Sequence, residues 1–328
     1  MRKKLRLLRL VNELISPLGV RLDLSSTYRS SVAVALDETA RLDALQDVLT
    51  PRLEFAILGS IDERFSIPSN LAGAVRTFSL DAVAPGEGQG RAGGAAVVPV
   101  KQVIAGSAGA VRFVQRTAPG VSSILEPKAE LIGLYGLDRL YGVEQVHRVD
   151  AITLGDLGRM HHVERWDYIR TDLEGADFAI VQSLGDDLRS VSLLEMELRA
   201  EPFYRDEPPM HAVMAHLAEH GFEVLDLKPE RWRARTSHMH FETRGRVTFC
   251  NAVFVNRAIE ARSPRAILRH ALILGMMGYA NFAERILRPL ESSHASEVRA
   301  LQALLFGRAT ERYLPFPKLP HLTHGTGD

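Results

Sequence analysis

The spacing of apolar residues along this chain changes near residue 50. Before it, Leu5, Leu8, Val11 and Ile15 fall near helical spacing, with Pro17 and Gly19 as a stop. Leu36, Ala40, Leu42, Leu45, Val48 and Leu49 form a second stripe, which predicts a helix over 36–49 ended by Pro51. After it come short apolar runs bounded by turn residues. Leu53–Leu58, Ala74–Phe78, Ala95–Val100 and Ala110–Gln115 read as strands.

From residue 146 strands alternate with helices. Val146–Val149 is followed by a helix around Thr153–Met160, with Thr153 and Asp156 as a capping pair. Asp167–Thr171 precedes a helix over Ala176–Leu184. Val191–Leu198 precedes a helix from Pro208 and Pro209 to His220, and strands over Phe222–Leu227 and Arg246–Val255 close the series. This alternation predicts a Rossmann-like α/β fold, a mainly parallel sheet with helices on both faces, over residues 51–258. The last two strands are free to pair antiparallel at one edge. Residues 1–50 form an N-terminal helical segment. Residues 259–328 form a C-terminal helical appendage with an irregular, proline-bearing tail. One faint tetratricopeptide-like spacing there (Ala271, Gly275, Gly278, Tyr279, Ala283, Leu287) is a single copy, and a lone unit makes no solenoid.

Charge narrows the partners. The 40 basic and 40 acidic residues cancel, which gives no global field for nucleic acid. The basic start (Arg2, Lys3, Lys4, Arg6, Arg9) allows weak peripheral membrane contact, although packing on its own domain is the favoured reading. The run Ala271 to Ala280 is about half of the roughly 20 residues that a spanning helix needs. Arg6, Arg9, Asn12 and Glu13 interrupt any signal-peptide core. A single cysteine, Cys250, excludes an intramolecular disulfide and fits a reducing compartment. Together these features predict a cytoplasmic protein.

Candidate chemistry concentrates in one segment, Asp167-Tyr-Ile-Arg-Thr-Asp-Leu-Glu-Gly-Ala-Asp177. A strand ends at Thr171, and Asp172 and Glu174 follow it. Side chains two apart on an extended chain point the same way, so both carboxylates are expected to converge at the carboxyl edge of the sheet. There they could bind a divalent metal, or one could act as a general base; capping the next helix is the competing role. Glu195 and Glu197 share a face of the next strand, where one faces the cleft or both pair with Arg170 or Arg199. Gly88-Gln-Gly-Arg-Ala-Gly93 has the G-x-G-x-x-G spacing but leads into a strand, which makes it a loop and not a phosphate cradle. His161-His162 and His238-Met-His240 lack ligand spacing on a helix and read as solvated or hydrogen-bonded.

The Asp167–Phe178 segment resembles the D-F-I-K-I-D-V-E-G-A-E signature of FkbM-type methyltransferases. Ile152-Thr-Leu-Gly-Asp-Leu157, Gly120-Val-Ser-Ser-Ile-Leu125, Leu193-Leu-Glu-Met-Glu197 and Gly221-Phe-Glu-Val-Leu-Asp-Leu227 resemble further stretches of that family in the same order. The resemblance spans roughly 53–257 and is stronger in the second half. It implies the class I methyltransferase fold, S-adenosylmethionine as methyl donor, and a hydroxyl acceptor on a sugar or secondary metabolite. Carried over, Asp172 and Glu174 line the acceptor side. The cofactor side departs from the pattern. Where the family has D-V-G-A-N-x-G, this chain has Ile57-Leu-Gly-Ser-Ile-Asp-Glu63, which keeps Gly59 and puts Ser60 beside it. Where the family has F-E-P, it has Phe78-Ser-Leu-Asp81, and Asp81 is the replacement candidate for the ribose hydroxyls. The resulting expectation is an O-methyltransferase. The alternative is a non-catalytic binding or assembly module on the same fold.

Overall fold

The structure is a computed structural model that describes residues 36–59, 67–80, 96–235 and 244–307. These lie in one unit, residues 33–307. The expected helix at 1–18, the glycine-rich stretch at 88–93, Ser60, Asp62, Glu63, Asp81, His238, His240 and the proline-bearing tail fall outside the described residues.

A mostly parallel seven-stranded sheet forms the frame. In chain order its members are β1 (Leu53–Leu58), β2 (Val75–Leu80), β3 (Ala96–Pro99), β7 (Tyr168–Thr171), β8 (Leu193–Arg199), β9 (Phe222–Trp232) and β10 (Arg246–Asn256). Their spatial order is β3-β2-β1-β7-β8-β10-β9. β1 is buried along its whole length because parallel neighbours flank it on both sides. β10 runs antiparallel to β9, as expected of two strands joined only by a loop, and also to β8. The chain builds outward from β1 to β3 and then returns to β7 on the other side of β1. The order therefore reverses between β1 and β7, and open α/β sheets form their ligand crevice at such a point. The fold is thus Rossmann-like and consistent with a methyltransferase, as expected.

A smaller three-stranded sheet lies between β3 and β7 in sequence. It consists of β4 (Val103–Ile104), β5 (Gly109–Arg116) and β6 (Val143–Ile152), in the order β4-β6-β5, with helix α2 (Ala129–Tyr135) in the β5–β6 connection.

Side chains alternate along the strands and feed two cores. Leu53 and Phe55 of β1 join Val75, Tyr168, Leu193 and Val255 on one face. There they meet α1 (Gln46–Leu49) and α6 (Pro264–Met276), α7 (Ala280–Leu287) and α8 (Ala295–Phe306). Ala56 and Leu58 point the other way, with Phe78, Ile169, Leu194 and Met196, onto α3 (Leu154–Met160), α4 (Asp177–Gln182) and α5 (Met210–Glu219). Helices from either end of the chain thus meet on a single face of the sheet. Thr153 caps α3 as expected: its Oγ1 accepts from Asp156 N at 3.0 Å, and Asp156 Oδ2 accepts from Thr153 N at 2.9 Å.

The sequence misleads in two places. The expected 36–49 helix is reduced to a 3-10 turn, Asp43–Leu45, and the single turn of α1. Asp37 Oδ1 takes the Thr39 amide and hydroxyl at 2.9 and 2.6 Å, and Asp37 N donates to Leu304 O at 2.9 Å. A local side-chain turn and a tertiary bond outcompete the helix there. β6 and β9 extend well beyond the apolar runs that marked them, because few of their residues are buried and backbone pairing alone defines their ends.

A buried ion pair ties the C-terminal helices to the sheet. Arg269 on α6 donates to Asp167 Oδ1 and Oδ2 at 2.7 and 2.6 Å, and also reaches the carbonyls of Val48, Pro51 and Arg52. Asp167 Oδ2 also accepts from Glu54 N at 2.9 Å. Arg269→Met leaves the buried Asp167 charge with only the longer Arg165 contact at 3.4 Å and the Glu54 amide, and is expected to cost about 3 kcal/mol. Arg285→Met, at a half-exposed pair with Glu260, is expected to cost less than about 1 kcal/mol. Urea denaturation of both variants checks the contrast.

Candidate active site

β1 ends at Leu58, just before Gly59, and β7 at Thr171, with Leu58 and Thr171 side by side in register. Asp172 N donates to Leu58 O at 2.8 Å, which holds the first residue beyond β7 against the end of β1. Gly59 has φ +108°, and a Cβ there would lie 2.3 Å from the Asp172 carbonyl oxygen. Only glycine satisfies both constraints.

Beyond Asp172 the chain turns sharply. Glu174 has φ 51° and Gly175 φ 91°. The two carboxylates therefore converge through a left-handed turn, not through the extended alternation inferred from their spacing, and the following helix runs over Asp177–Gln182, inside the expected Ala176–Leu184. Three anchors fix the turn. Asp177, fully buried, accepts from Leu173 N at 3.0 Å and Gly175 N at 3.2 Å. Ser123 Oγ donates to Glu174 O at 2.8 Å from the Gly120–Leu125 stretch. The Tyr204 ring packs on Gly175, where a Cβ would approach it to 2.7 Å.

One carboxylate oxygen each of Asp172, Glu174 and Glu197 lies within 4.8 Å of the others. Arg199, at the end of β8 with its side chain only 4% exposed, holds most of this charge. Its Nη2 reaches Glu174 Oε2 at 2.7 Å and Glu197 Oε1 at 2.6 Å, and its Nε lies 3.2 Å from Glu207 Oε1. The Glu197 contact is an ion pair without hydrogen-bond alignment. Glu207 also accepts from Phe203 N and Tyr204 N, and Tyr204 donates its hydroxyl to Glu174 Oε2 at 2.6 Å. The Phe203, Tyr204 and Phe249 rings surround the guanidinium.

One guanidinium does not balance this many carboxylates. Burial pushes the Glu174 carboxyl up to about 7, with Asp172 and Asp177 adding to the rise, and Arg199 and Tyr204 oppose it only in part. Burial also raises Glu197 well above the ordinary range, and Glu174, Asp172 and Asp177 add to it. Asp177 and Glu207 are raised chiefly by burial. Burial and the Glu174 charge push Tyr141 up to about 12. Asp172 differs from its neighbours: among the described residues no side chain or amide holds its carboxylate.

The structure thus brings together Asp172, Glu174 and Glu197, with Gly59 beside them. It places Glu195 elsewhere, where Tyr168 donates to it at 2.8 Å and Arg170 lies 3.8 Å away. The His161 ring stacks edge-on against Phe78. Sequence reasoning missed Asp177, Tyr204, Glu207 and Ser123. Their signal was faint: polar residues in the proline-bounded Glu201–Pro209 loop, and one hydroxyl in the Ser122-Ser123 pair.

With this geometry in view, comparison with known proteins finds a match over about a third of the chain. Residues 107–224 match the family model of the methyltransferase FkbM domain. The match runs from the small sheet through the Asp172–Glu174 turn and Arg199 to the start of β9, and it implies S-adenosylmethionine-dependent methylation. No curated protein matches the chain. No helix among the described residues is long and apolar enough to cross a membrane.

The raised carboxyl of Glu174 sets a sign for the pH dependence of stability. Its folded value, about 7, exceeds the ordinary 4.5, so its contribution to stability is full below pH 4.5 and is lost as pH rises through 7. Urea midpoints are expected to fall over that window, and Glu174→Gln is expected to remove part of the slope. Arg199→Met, which strands buried carboxylates, is expected to cost about 3–5 kcal/mol at pH 8.

Proposed function

We propose that this chain transfers a methyl group from S-adenosylmethionine to a hydroxyl of a saccharide or similar small metabolite, with Asp172 receiving the acceptor hydroxyl. The observation that carries this reading is the division of labour among the carboxylates. Glu174 and Glu197 are held by Arg199, whereas no described residue holds the Asp172 carboxylate at the crevice between β1 and β7. It is a hydrogen-bond acceptor available for an incoming hydroxyl.

The acidic excess at this edge suits a cofactor bearing a sulfonium and an ammonium. The Gly59 backbone would border the cofactor, and Ser60 and Asp81 are the sequence candidates for its remaining contacts. The cofactor supplies an electrophilic methyl. The chain's contribution is to hold the acceptor oxygen in line and to take its proton on Asp172. Glu174, Arg199 and Tyr204 act as positioning residues that fix the turn carrying Asp172.

The same carboxylate excess favours a divalent cation held by oxygen ligands from Asp172, Glu174 and Glu197. A second reading, a non-catalytic binding module, is favoured by Ile57. It stands where the resembled family carries an acid, and it is 1% exposed.

Transfer of labelled methyl groups from S-adenosylmethionine to a panel of saccharides tests the first reading. Asp172→Asn is expected to lower kcat by about 10²–10⁴-fold with an unchanged thermal midpoint. An unchanged kcat removes the role given to Asp172.

A further inference from the structure

A cavity of about 880 Å³ opens at the end of the β9–β10 hairpin, lined by Tyr135, Trp232, Arg231, Arg233 and Arg244 among others, and none of its described lining residues is acidic. Arg231 donates to Gly245 O at 3.2 Å. Arg233 and Arg244 have no ion-pair or hydrogen-bond partner among the described residues. In a chain whose charges sum to zero, such a concentration of uncompensated guanidinium is a local feature and not a reflection of overall basicity.

The topology puts this cavity on the edge of the sheet that carries the carboxylates. β9 runs in the same direction as β8, and its last residue, Trp232, pairs with Arg246, while Phe249 of β10 pairs with Arg199. Two strand spacings, about 10 Å, separate β9 from β8. Trp232 packs against Phe203 at 5.8 Å and Phe249 at 5.7 Å between ring centroids, and both rings also flank Arg199. Tyr135 packs edge-on against Trp232 at 5.3 Å. The cavity and the carboxylate cluster therefore share a wall of aromatic rings.

We infer that this cavity binds the anionic end of a sugar ligand, a phosphate or carboxylate gripped by Arg233 and Arg244, with the sugar ring against Trp232 and Tyr135. Guanidinium forks match the planar or tetrahedral oxygens of such groups, and the rings offer an apolar face to the C–H side of a sugar. That this ligand is the methyl acceptor rests on the function proposed above. The cavity's affinity for it does not.

The test uses the full chain without S-adenosylmethionine, so failure to bind and failure to transfer methyl groups are separate results. The chain has two tryptophans, and Trp166 is 4% exposed in the core, so a ligand-dependent change in fluorescence reports on Trp232. Glucose 1-phosphate, glucuronate, inorganic phosphate and methyl glucoside are titrated in turn. Saturable binding of glucose 1-phosphate or glucuronate is expected, and the preference between them identifies the anion. Arg233→Gln and Arg244→Gln are each expected to weaken it by about tenfold or more, with an unchanged thermal midpoint. Absence of saturable binding by either sugar anion overturns the inference. So does equal affinity in the variants, equal binding of methyl glucoside, or inorganic phosphate binding as tightly as the sugar anions.

Discussion

Arg199 carries the charge balance on which the geometry of the crevice depends. A lone buried carboxylate is costly, and here Glu174, Glu197 and Glu207 meet around a single guanidinium. Without that cation the left-handed turn at Glu174 and Gly175 would have to open to water, and Asp172 would lose its place beside Gly59. The aromatic rings around Arg199 keep water out and so strengthen every ion pair at the site. The cost is an unbalanced acidic surplus. It leaves Glu174 with a carboxyl near neutrality and leaves room for a cationic cofactor or metal.

The rest of the fold delivers residues to this point from separate elements. β1 supplies the glycine, β7 the two-carboxylate turn, β8 Glu197 and Arg199, the β8–α5 loop Tyr204 and Glu207, and the region after β5 Ser123. At the other end of β7, Asp167 just before the strand is clamped by Arg269. That pair fixes the end of β7 distant from the crevice, while Arg199 and the Asp177 cap fix the near end. The short β7 is thus pinned at both termini, which gives Asp172 a defined position although no described side chain holds its carboxylate.

Much of this was legible in the sequence because the information was local. Apolar runs marked the buried strands, the Thr153–Asp156 cap marked a helix start, and the Asp172–Glu174 segment marked the crevice. What was hidden depended on tertiary pairing. The exposed ends of β6 and β9 carry no hydrophobic signal, and the 36–49 stripe looked helical although Asp37 engages its own turn and Leu304 O. The convergence of Asp172 with Glu174 was foreseen by the wrong geometry, since extended alternation gave way to a positive φ. Tyr204 and Glu207 come from a loop whose sequence has no periodicity, and only folding shows that they close over Arg199.

The central claim is that the crevice between β1 and β7 takes S-adenosylmethionine. Calorimetric titration of the purified chain with S-adenosylmethionine and S-adenosylhomocysteine, with and without magnesium, tests it most directly. The account predicts saturable binding in the micromolar range. Absence of binding at millimolar ligand, from protein shown to be folded, would contradict the methyltransferase reading and leave the Arg199 cluster as the scaffold of a binding module.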